Sequence, residues 1–150
     1  MDPREELRIH LRPAKMVGMA IFVSLVIYLG LIEVLRAVLR PFRGFAVSAG
    51  IQPLRLSAFG AAAAVILLIL LLRPRLFRRD VRDDAPAALR RFQKASLVLL
   101  VLGEIPAVLG LGLFIIGGNA PDFYKMLFTS LVLTFINFPR RASWEEWLKG

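Results

Sequence analysis

The feature that most constrains this chain is an apolar stretch with one carboxylate inside it, KASLVLLVLGEIPAVLGLGLFIIGGN, from Lys94 to Asn119. About 20 apolar residues, rising ~1.5 Å each, span the ~30 Å hydrocarbon core of a bilayer. Glu104 lies ten residues beyond Lys94, which sets it ~15 Å deep, near the midplane. A charge there costs at least ~2.5–3.5 kcal/mol on insertion scales and marks a functional site by default. Glu104 is therefore the candidate functional residue of the chain.

Three further apolar blocks accompany this one. The chain is 57% hydrophobic over 150 residues, with a mean hydropathy of +0.66. Its apolar residues come in blocks rather than at amphipathic spacing, as in a polytopic membrane protein. The blocks predict an all-α membrane protein of one domain with four transmembrane helices, at 16–39, 56–72, 95–117 and 123–138. Short amphipathic interfacial helices are expected at both termini. In the first, about 3–12, Asp2 caps, Pro3 opens the helix, Leu7 and Leu11 share a face, and Pro13 ends it. The second, about 143–149, has a Ser143–Glu146 capping box, and Trp144 and Trp147 serve as interfacial anchors. The N-terminus does not read as a cleaved signal peptide, because its charged region is long and no small-residue cleavage site follows the apolar run.

Charge sets the orientation and narrows the partners. The formal net charge of +9 comes from basic residues clustered at the ends of apolar blocks. There they meet anionic lipid headgroups; they form no basic-aromatic surface for nucleic acid. With the N-terminus inside, fifteen Lys/Arg fall in cytoplasmic segments and five outside. The positive-inside rule then favours both termini in the cytoplasm; a bacterial inner membrane is the expected location. Glu33 and Arg36, three apart near the far end of the first span, read as an interfacial ion pair. Residues 73–94 form a basic hairpin loop whose Asp80, Asp83 and Asp84 sit among arginines.

Chemistry-bearing residues are few. There is no cysteine, and His10 is the one histidine, so no catalytic residue, metal site or cofactor is expected. Depth counting brings Ser24, Tyr28, Thr129, Ser130 and Thr134 to the level of Glu104. A hydroxyl there could hold the carboxyl group by a hydrogen bond, which serves a packing role and an ion-carrying role equally well. Pro106 frees a backbone acceptor one turn from Glu104 and is expected to kink the helix. Gly60, Gly103, Gly110 and Gly112 are expected to let neighbouring helices approach closely.

The segment GEIPAVLGLGLFII, Gly103 to Ile116, resembles the carboxylate-bearing helix of the c subunit (proteolipid) of rotary ATP synthases. Glu104 followed by Gly110 and Leu111 matches that family's midplane acid with Gly-Leu six and seven positions on. The small-residue second span and the basic loop extend the resemblance loosely over residues 56–118. It implies ion carriage by Glu104. The expected role remains that of a non-enzymatic integral subunit or accessory factor, held by other membrane subunits or by self-association; proton or cation conduction through Glu104 is the alternative.

Overall fold

The computed structural model describes residues 3–45, 50–76 and 85–138; side chains are described from 12 in the first helix and from 90 in the third. These residues form four helices: α1 (Pro3–Val38), α2 (Ile51–Leu76), α3 (Ala85–Gly117) and α4 (Ala120–Asn137). Every regular element among the described residues is helical. Asp80, Asp83, Asp84 and the expected helix at 143–149 with Trp144 and Trp147 lie outside the described residues.

Three helices are long and apolar enough to cross a membrane: Arg12–Val38, Ile51–Leu76 and Arg90–Gly117. The exception is α4, whose 18 residues open on Asp122 and Lys125. Helix boundaries also depart from the sequence reading. The expected break at Pro13 is absent, and α1 is one helix of 36 residues. Proline removes one backbone donor, but helix-favouring Arg, Glu and Leu precede it and a long apolar run follows. Helix α2 starts at Ile51 rather than Leu56, because Pro53 falls in the first turn, where backbone N–H groups have no intrahelical acceptor. Helix α3 starts ten residues before the expected span at 95, so the expected loop at 73–94 is helical at 73–76 and 85–94.

Helix α3 is the centre of the bundle. It packs against α1, α2 and α4, and its seam with α4 is the most extensive. Three apolar clusters follow its length. Ile32, Phe114, Ala120 and Phe123 pack at one end, Ala58, Ala62, Leu113 and Met126 in the middle, and Ile69, Leu99 and Leu133 towards the other end. By contrast α1 and α2 turn broad apolar faces outward, including Val23, Val26, Ile27, Leu67, Leu70 and Leu71. Water would penalise such faces and lipid does not.

The chain leaving α1 crosses over the α3–α4 turn. Gly44 (φ +84°) and Gly118 (φ +69°) lie so close that a Cβ on either would collide with the other segment's backbone. The left-handed φ values and the contact both call for glycine. The Phe45 N–H donates to the Ile115 carbonyl at 3.0 Å, and Phe42 stacks on Phe114 with ring centroids 5.0 Å apart.

Candidate functional site

Glu104 lies on the α1-facing side of α3, half-buried. The Tyr28 hydroxyl on α1 donates to Glu104 Oε1 at 2.8 Å. Ser24, one turn earlier on α1, lies beside the Tyr28 hydroxyl and itself donates to the Ala20 carbonyl at 2.9 Å. Neither ion pair among the described residues includes Glu104. The carboxyl group is thus held by a neutral donor across a helix seam.

On the other side of the same turn, Pro106 is fully buried. The Ala107 N–H, next in sequence, donates to Ser130 Oγ on α4 at 2.8 Å. The Ser130 hydroxyl in turn approaches the Glu104 carbonyl oxygen at 3.5 Å, a long contact. Ser130 therefore meets the backbone of Glu104 and not its carboxyl group. It fastens α4 to α3 where the proline disturbs the helix ladder. The remaining hydroxyls at this level do not reach the carboxyl group. Thr129 donates back to its own helix, to the Lys125 carbonyl at 2.9 Å. Thr134 Oγ1 is buried without a hydrogen-bond partner among the described residues.

The glycines divide into two sets. A Cβ on Gly110 would lie 2.8 Å from Met126 Cβ, and one on Gly103 would touch Leu133 Cβ at 3.4 Å. These two residues are where α4 comes against α3. A Cβ on Gly60 or Gly112 would meet nothing within 4 Å, so neither serves packing within this chain. On α2 it is Ala58 and Ala62 that are buried, while Gly60, Ala61, Ala63 and Ala64 face outward.

Two polar clusters stand at the end of the bundle where α1 stops and α2 and α4 begin. Glu33 accepts from Arg36 Nη1 at 3.2 Å and from the Tyr124 hydroxyl. Arg36 Nη1 also donates to the Tyr124 oxygen at 2.7 Å, which ties the expected i, i+3 pair to α4. The second cluster escapes a reading of the sequence alone. Arg55 grips Asp122 with two nitrogens, Nε to Oδ2 at 2.5 Å and Nη2 to Oδ1 at 2.8 Å. The Asn119 amide adds a third donor to Oδ2 at 2.9 Å. Asp122 is 2% exposed, in the first turn of α4, where the helix dipole also favours an anion. Up-down connectivity is the available signal, because the first turns of α2 and α4 fall at the same end. No group of three or more His, Asp or Glu side chains placed to hold a metal occurs among the described residues.

No protein-family model, curated protein or solved structure matches the chain.

Proposed function

We propose that this protein is a non-catalytic integral membrane subunit, or an accessory factor, of a larger membrane assembly. The observation that carries this reading is the outward ridge of α2. Gly60, Ala61, Ala63 and Ala64 stand exposed on a helix long and apolar enough to cross a membrane. Small residues let helix backbones approach closely, and that approach drives association where lipid removes the hydrophobic incentive. The chain uses Ala58 and Ala62 for its own core and leaves the other small positions to a neighbour. In this reading α4 crosses the bilayer with the other three helices, its polar start drawn inside by Arg55. Both termini lie in the cytoplasm of a bacterial cell, and the basic flanks rest on anionic lipid. The Tyr28–Glu104 hydrogen bond fastens α1 to α3 inside the membrane. The test is copurification: Gly60→Leu should release the neighbouring subunit while the chain stays folded, and retention of that subunit would count against the ridge.

A second reading has its own observation. Ser24, Tyr28 and Glu104 form a short line of exchangeable protons, and at the midplane depth that residue counting assigns to Glu104 such a line is what a proton carrier requires. It predicts that Glu104→Gln abolishes proton flux in proteoliposomes without loss of fold. Flux equal to that of the unaltered protein would eliminate it.

A further inference from the structure

Beside the Glu33–Arg36–Tyr124 cluster a cavity of about 610 Å³ opens between Glu33, Arg36, Arg40, Pro41, Phe42 and Gly118. Arg36 and Arg40 are four residues apart in the chain, so their side chains leave α1 on the same side. Arg36 and Tyr124 already satisfy the one carboxylate on this wall, Glu33. Arg40 makes no ion pair among the described residues, and its charge lines the cavity uncompensated. Pro41 and Phe42 supply an apolar side. The walls therefore suit an anion attached to something apolar.

The same face of α1 continues downward from the cavity through Leu29 and Val26, both exposed. They precede Arg36 by seven and ten residues, spacings that keep one helical face. Ten residues at ~1.5 Å cover ~15 Å, the depth of one leaflet's hydrocarbon. A cationic cavity above an apolar strip of that length fits a single phospholipid molecule, its phosphate at the guanidinium and its chain along the strip.

We infer that this cavity binds the headgroup phosphate of an anionic phospholipid, with Arg40 as its principal ligand. The inference needs α1 to cross the membrane and is independent of the subunit reading. A free phosphate ion would use the same guanidinium but would gain nothing from Leu29 and Val26, so the lipid is the occupant.

The experiment is native mass spectrometry of delipidated protein in mild detergent, titrated with phosphatidylglycerol, with phosphatidylcholine of the same chain length, and with inorganic phosphate. One phosphatidylglycerol is expected to be retained, roughly tenfold more tightly than phosphatidylcholine, as suits one charge-assisted contact. Arg40→Gln should weaken retention by about tenfold on the same grounds. Ala37 also lines the cavity, and Ala37→Phe, which fills it with its charge intact, should do likewise. Arg43→Gln should stay within about twofold, because a diffuse surface charge adds little to a discrete site. Equal losses from Arg40→Gln and Arg43→Gln would reduce the effect to general surface attraction and overturn the site. So would an unaltered Ala37→Phe variant, or displacement of the lipid by inorganic phosphate at equal concentration.

Discussion

Asp122 and Glu104 are both carboxylates within a largely apolar bundle, and the chain treats them oppositely. Asp122 is buried and saturated: two nitrogens of Arg55, the Asn119 amide and the start of a helix all address it. Glu104 is half-buried, with a tyrosine hydroxyl as its side-chain donor. The first arrangement fixes a charge in place. The second holds a carboxyl group in either protonation state, because a hydroxyl can donate to the ion or accept from the acid. The difference separates a structural ion pair at one end of the bundle from an adaptable contact at its middle.

The largest expected effect breaks the first arrangement. Arg55→Met leaves Asp122 buried without its cation, and removing one partner of a buried pair costs ~3–5 kcal/mol. Because Arg55 is 39% exposed, the lower end, about 3 kcal/mol, is expected in the unfolding midpoint of purified protein under denaturing-detergent titration. Next comes the seam that positions Glu104. Gly110→Ala forces a Cβ to 2.8 Å from Met126 and should cost ~1–3 kcal/mol by overpacking. Gly112→Ala, where nothing lies within 4 Å, should be neutral in the same titration. A smaller effect tests the second arrangement. Tyr28→Phe removes one interhelical hydrogen bond, worth ~0.6 kcal/mol on average and at most ~1.7 in membrane bundles. If Tyr28→Phe cost as much as Arg55→Met, the two carboxylates would be equivalent and the contrast would fail. Glu33→Gln, in the solvent-exposed cluster, should leave the midpoint unchanged.

Legibility in the sequence follows the range of each signal. Apolar run length is local, so three spans can be read directly, and Tyr28 comes within the set of residues that depth counting places beside Glu104. The same counting cannot distinguish facing, because hydroxyls at one level point in different directions. Thr129 turns back on its own helix, and Ser130 goes to the Ala107 N–H. Glycine spacing carries no direction either: Gly103 and Gly110 meet α4, whereas Gly60 and Gly112 meet nothing. The Arg55–Asp122 pair joins residues 67 positions apart. In the sequence one reads as part of a connection and the other as part of a turn, and only their shared end of the bundle links them. Helix ends are obscured by proline, which is accommodated in the first turn of α2 and also inside α1 at Pro13, where a stop is expected and the helix runs on.

In the proposed subunit role another helix covers the outward small-residue ridge of α2. The most direct measurement is the composition of the particle that carries this chain when native membranes are opened in mild detergent and analysed by native mass spectrometry. A complex containing this chain together with different, larger membrane subunits is the predicted result. A monomer, or a ring made of this chain alone, would contradict the account.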